Sequence, residues 1–126
     1  MKNLKQLPDS EFRIMDIVWN NENPITSKEI YDLQKSDEKL SMSAIHTLLQ
    51  RLVTKGYLTS SKIGKERQYK FTIEKEQYLK FETKTYIDKR LGKSSFHIMR
   101  ALIEDGSLDS DEISQLRDLL QEKEVK

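Results

Sequence analysis

The side chains able to do chemistry in this 126-residue sequence are few and scattered. His46 and His97 are the only histidines, and neither has the i, i+4 partner that holds a metal on one helix face. Neither belongs to a nucleophile–base–acid signature. Cysteine is absent, which removes disulfides, thiolate metal sites and thiol nucleophiles together. Asp109-Ser110-Asp111-Glu112 is acidic but lacks the spacing and the glycine of a calcium loop, and it reads better as a helix start. Gly56 and Gly64 stand alone rather than in a phosphate-cradling loop. No catalytic residue, metal site, cofactor or enzyme activity is expected.

What remains is charge, and its distribution matters more than its total. The formal net charge is +1. Residues 1–40 carry six basic and eight acidic side chains, whereas residues 41–75 carry seven basic and two acidic. Residues 76–103 carry six and three, and residues 104–126 carry three and eight. A basic middle followed by an acidic tail is the pattern of a polyanion-binding face on an otherwise neutral or repelling protein; chance clustering on a solvated surface is the alternative.

The elements that must position this charge follow from periodicity. Asp9 to Asn20 places Phe12, Met15 and Trp19 at helical spacing, with Ile14, Ile17 and Val18 beside them, and Asn20 to Pro24 stops the helix. Thr26-Ser27-Lys28-Glu29 is a capping box that opens a short helix with Ile30 and Leu33 inside. After a polar connection over Ser36 to Lys39, a third helix starts near Ser41. It buries Ile45, Leu48, Leu49, Leu52 and Val53 and ends at Gly56.

The period then changes to two. Tyr57 to Ile63 predicts a strand, Gly64-Lys65 a tight turn, and Arg67 to Ile73 a return strand with Tyr69, Phe71 and Ile73 on its buried face. Three helices followed by a hairpin is the order of a winged helix-turn-helix. From Glu74 onward the chain reads as helical. A helix from Glu76 to about Leu91, ended by Gly92, carries Leu79, Tyr86 and Ile87. The next, from Ser94, carries Phe96, Met99, Leu102 and Ile103, with Gly106 as its stop. Asp109 caps a last helix lined by Ile113, Leu116, Leu119 and Leu120. The fold class expected is therefore mainly α with a small β-hairpin wing: a winged helix-turn-helix over residues 1–73, then an all-helical dimerisation domain over residues 74–126.

Each C-terminal helix has one apolar stripe and little to set it against, so the stripes are expected to meet a second copy across a two-fold axis. Folding back onto the winged helix is the alternative. A homodimer also gives an inverted pair of reading modules, whose linkage raises affinity without new contacts. On the third helix Ser41, Ser43, Ala44, His46, Thr47, Gln50 and Arg51 are free to face outward. Ser43, Ala44, His46 and Thr47, near its N-terminus, are candidates for base edges in a major groove. Arg51, with Lys62, Lys65 and Arg67 of the wing, is a candidate for phosphate. Few Arg or Lys occupy reading positions, so shape and backbone contacts are expected to matter.

No apolar run is long enough to span a bilayer, and no hydrophobic stretch follows Met1-Lys2-Asn3-Leu4-Lys5. Neither membrane insertion nor a secretory leader is expected, and the cytoplasm is the expected compartment.

Leu49-Gln50-Arg51-Leu52-Val53-Thr54-Lys55-Gly56-Tyr57-Leu58, preceded by Ile45-His46-Thr47-Leu48, resembles the reading helix and the start of the wing of the penicillinase repressors (BlaI/MecI). That family also includes the copper-responsive CopY repressors. Glu11-Phe12 to Val18-Trp19 is similar to its first helix, and Glu112-Ile113 to Leu119-Leu120 to its last. The resemblance implies a dimeric transcriptional repressor on a palindromic operator, controlling β-lactamase or other antibiotic-resistance genes. It also implies a membrane sensor-protease system as a partner, with inactivation by cleavage in the dimerisation domain. The family's Asn-Phe scissile pair falls on Ala101-Leu102, and its Lys, Thr and Arg at reading positions fall on Ser43, Ala44 and His46. The cysteines through which the copper branch binds metal have no counterpart here.

Two other readings compete with the repressor. One is a winged-helix interaction module whose basic wing meets an acidic protein. The other is a regulator of unrelated genes released by a small-molecule effector, although no cluster of convergent polar groups is visible to hold one.

Overall fold

A computed structural model describes residues 4–90 and 95–124 of the chain. Helix α1 (Asp9–Asn20) buries Ile14, Met15 and Val18, with Phe12, Ile17 and Trp19 packed at the margin of the core. Its one surprise is Glu11, a carboxylate only 2% exposed. The Lys55 ammonium at the end of the third helix pairs with it, which is what makes that burial tolerable.

A cis Asn23–Pro24 peptide leads into β1 (Ile25–Thr26). Two residues are too few to show an alternation, so periodicity does not reveal this strand. Helix α2 (Ser27–Asp32) follows, and the expected capping box is present. The Thr26 N–H donates to Glu29 Oε1 at 2.9 Å, and the Glu29 N–H donates to Thr26 Oγ1 at 3.1 Å. Leu33, expected inside, is 48% exposed. It is the C-cap residue, one position past the last helical turn, so the α2 stripe no longer sets its direction. The polar connection contains a 3-10 turn, Ser36–Glu38.

Helix α3 (Met42–Thr54) has Ser41 as its N-cap, the Oγ accepting the Ala44 N–H at 3.1 Å. Ile45, Leu48, Leu49 and Leu52 are buried as expected, and Val53 is partly buried. The helix closes in a Schellman motif. The Tyr57 N–H donates to Leu52 O at 2.9 Å and the Gly56 N–H to Val53 O at 3.0 Å. Gly56 sits at φ +85, where any Cβ would be strained.

The chain then forms the wing. β2 (Leu58–Ile63) and β3 (Glu66–Phe71) pair antiparallel from Leu58↔Phe71 to Ile63↔Glu66, around the two-residue loop Gly64-Lys65. β1 adds to the other side of β3 through Ile25↔Tyr69 and Thr26↔Gln68, giving the order β1-β3-β2. The sheet is thereby tied to the first turn of α2.

Helix α4 (Lys75–Arg90) continues this first unit further than the change in periodicity near residue 74 suggests. Tyr78 is fully buried, whereas Leu79 beside it is 37% exposed and Tyr86 is 53% exposed. The Tyr78 ring meets Phe12, Trp19, Tyr57 and Phe81 at centroid distances of 5.7–6.0 Å. Its hydroxyl accepts the Leu7 N–H at 2.8 Å and donates to Glu82 at 2.8 Å. Tyr57 holds the same segment, donating to Lys5 O at 2.6 Å. The first compact unit accordingly runs to Thr83 and the second begins at Lys84.

Burial pushes the Tyr57 hydroxyl up from 10.0 to about 12. Burial pushes Tyr78 up as well. A group whose folded pKa is raised binds its proton more tightly in the native state. Its stabilisation is therefore whole below the unfolded value near 10 and is lost as pH rises beyond it. The first unit is expected to lose stability progressively between about pH 10 and 12. Urea midpoints taken across that window check this, and Tyr57→Phe should flatten the decline.

The second unit contains the end of α4, then α5 (Ser95–Glu104) and α6 (Ser110–Glu124). Gly92 and Ser94, expected to end one helix and start the next, lie outside the described residues. Gly106 stands at φ +80 after α5, as its role as a stop requires. Asp109 and Glu112 form a second capping box, the Glu112 N–H donating to Asp109 Oδ1 at 2.8 Å and the Asp109 N–H to Glu112 Oε1 at 3.0 Å. No described residue of α5 or α6 is buried, and their apolar stripes face outward.

Candidate nucleic-acid interface

The candidate site is built on three elements whose buried sides are fixed by the core. Ile45 and Leu49 are fully buried, so the opposite side of α3 must face out. Ser41, Ser43, His46, Thr47, Gln50 and Arg51 are all exposed there, and Ala44 is half-buried. Every third-helix residue expected to face outward is thus at least partly accessible. Lys62, Lys65 and Arg67 are exposed on the wing.

The structure brings part of this set together. A cleft of about 530 Å³ is lined by Thr26, Ser27 and Lys28 from the start of α2, His46 and Gln50 from α3, and Lys62, Lys65, Glu66, Arg67 and Tyr69 from the wing. Four of these ten residues are Lys or Arg and one is a carboxylate, so the cleft is a cationic concavity. Ser41, Ser43, Ala44, Thr47 and Arg51 lie along α3 outside it.

Several polar groups already have partners. Ser41 is spent first as a cap. Thr47 Oγ1 donates to Ser43 O at 3.2 Å, which leaves its oxygen free only to accept. An Arg67 guanidinium nitrogen donates to Ser60 Oγ at 3.2 Å, across the wing. His46 Nε2 lies 3.2 Å from Ser27 Oγ. Ser27 and Lys28 were not among the residues singled out from sequence. The capping box marked them as a helix start, and only the sheet pairing of Thr26 sets that start beside α3 and the wing. Among the described residues, no group of three or more His, Cys, Asp or Glu is placed to hold a metal, and no helix is long and apolar enough to cross a membrane.

Three helices, an outward-facing third helix and a cationic hairpin beside it define a winged helix-turn-helix protein of the DNA-binding class. The comparisons with known proteins narrow this. The family model described as penicillinase repressor matches residues 7–122, and the chain belongs to that family. The penicillinase repressor of Bacillus licheniformis is 26% identical over 122 residues, 97% of this chain and 94% of that one. The methicillin resistance regulatory protein MecI of Staphylococcus aureus is 27% identical over 119 residues, 94% of this chain and 95% of that one. The solution structure of monomeric Bacillus licheniformis BlaI in complex with the blaP half-operator is 29% identical at a TM-score of 0.51. That likeness covers 62% of this chain and 94% of the other. These relatives are repressors rather than enzymes, and the chain is assigned with them.

Proposed function

We propose that two copies of this chain, joined through their C-terminal helices, repress transcription by binding an inverted-repeat operator, with each α3 in a major groove. The observation that carries the reading is the cleft in which His46 and Gln50 meet Lys62, Lys65 and Arg67. It joins hydrogen-bonding groups able to read base edges to cations able to hold phosphate, which is the division of labour that duplex recognition needs. Ser43, Ala44, His46 and Thr47 face base edges; Arg51 and the wing cations face the backbone. The half-operator complex of the BlaI relative supports an operator duplex as the partner.

The second half of the reading rests on exposed apolar surface. Of the eleven large hydrophobic side chains exposed among the described residues, eight lie in the second unit: Tyr86, Phe96, Met99, Leu102, Ile103, Ile113, Leu119 and Leu120. Leu116 is half-buried among them. Surface of this extent in one small helical unit calls for a cover, and a second copy supplies an identical stripe.

The genes controlled are those of antibiotic resistance, a reading the relatives' names support, and the working compartment is that of the DNA, the cytoplasm. Release comes from proteolysis between Ala101 and Leu102, set in train by a membrane sensor-protease. Both residues are exposed on α5, and a cut there detaches α6 from the rest of the chain. The test is footprinting of the purified protein on its own upstream region at fixed salt. Protection of two half-sites about one helical turn apart, weakening steeply as salt rises, is expected. Salt-insensitive binding without preference for an inverted repeat defeats the reading. In cells given β-lactam, an intact chain under full derepression defeats the proteolytic part alone.

A further inference from the structure

Among the exposed residues expected to read bases, His46 is the one whose ring the protein itself grips. Its Nε2 lies 3.2 Å from the Ser27 hydroxyl, nineteen residues away in sequence on a different helix. Ser27 is a firm anchor. The Thr26–Glu29 capping box fixes the backbone on its C-terminal side, and the pairing of Ile25 and Thr26 with Tyr69 and Gln68 of β3 fixes it on the other. His46 is equally firm at its base, because Ile45 beside it is fully buried. Both residues face the cationic cleft.

We propose that Ser27 is a positioning residue: it holds the His46 imidazole by Nε2, turns Nδ1 toward the duplex, and so makes the Ser27–His46 pair the unit that sets preference at one base pair. The inference rests on the operator reading above and specifies it.

The chemistry needs such a partner. A neutral imidazole has one donor and one acceptor nitrogen, and a serine hydroxyl can meet either at Nε2, so the contact fixes the direction of the ring whichever tautomer the base edge requires at the other nitrogen. With Nε2 engaged by Ser27, Nδ1 is the nitrogen available to a base edge. An ungripped ring on an exposed helix must also be ordered on binding, which costs part of what the contact supplies. A hydroxyl on a second, rigid element removes much of that cost. Ser27 could instead touch phosphate directly, and that alternative has a different signature: loss of affinity on all sequences alike.

The experiment uses the full chain and a duplex selected by it from a pool randomised across the binding window, together with all single-base-pair variants of that duplex. Wild type, Ser27→Ala, His46→Ala, the double variant and Ser27→Thr are compared at one salt concentration. Ala is acceptable in the first turn of a helix whose Thr26 cap is intact, and Ser27→Thr keeps the hydroxyl. Ser27→Ala is expected to flatten discrimination by roughly 10-fold at a single base pair, the same one His46→Ala flattens. The double variant should lose no more than His46→Ala alone, and Ser27→Thr should restore the preference. Uniform weakening by Ser27→Ala across all duplexes overturns the pairing, as does unchanged discrimination or additive loss in the double variant. A wild-type chain that enriches no duplex overturns the operator reading and the pairing with it.

Discussion

Tyr78→Ala is expected to lower the stability of the first unit by about 3–5 kcal/mol, the range for deleting a large buried ring. Small domains hold about 5–15 kcal/mol in total, so the variant should stand close to unfolding. Tyr78 is fully buried and its ring is in contact distance of Phe12, Trp19, Tyr57 and Phe81. Truncation therefore strips packing from α1, from Tyr57 just before β2 and from α4 at once. Tyr78→Phe separates the ring from the hydroxyl. It keeps the aromatic contacts but leaves the buried Leu7 N–H without its acceptor, at a cost of about 1–3 kcal/mol. Urea unfolding followed by tryptophan fluorescence reads both, since Trp19 lies 5.8 Å from the Tyr78 ring. An alanine variant as stable as wild type would mean that this ring is not part of the core.

The second large effect is on binding rather than folding. Leu119→Glu with Leu120→Glu is expected to lower affinity for a two-half-site duplex by roughly 10²–10⁴, the contribution of linked sites, while affinity for a single half-site stays unchanged. The two leucines are 56% and 57% exposed in the single chain, so replacing them removes little from its own packing. Glutamate is also a good helix former. In a dimer interface the same carboxylates would be carried out of water without partners, which association cannot bear. Sedimentation equilibrium should show a single-copy particle, with the urea midpoint of the first unit unmoved. A variant that remains dimeric, or that loses half-site binding equally, contradicts the assignment of α6 to the interface.

The sequence by itself determined whatever is decided within a few residues. Helix α1 was legible because Phe12, Met15 and Trp19 repeat at helical spacing, and α2 and α6 because Thr26–Glu29 and Asp109–Glu112 are capping pairs three residues apart. The wing was legible because a strand-like run over residues 57–63 and an alternating run over residues 67–73 bracket the tight turn at Gly64-Lys65. The outward side of α3 followed from its buried side, so the candidate reading residues could be named before any contact was known.

Only the tertiary structure decided what depends on distant partners. Glu11 is buried because Lys55, forty-four positions on, reaches it. Tyr78 rather than Leu79 enters the core because the Leu7 N–H, seventy-one positions back, and four aromatic rings form its socket. β1 exists because β3 offers Ile25 and Thr26 an edge to pair with at Tyr69 and Gln68, and that pairing sets Ser27 beside His46. Periodicity and caps report the conformation of neighbouring residues and carry no information about separations of this size. The physical reason is that these contacts must outweigh a loop-closure entropy that only the assembled core offsets.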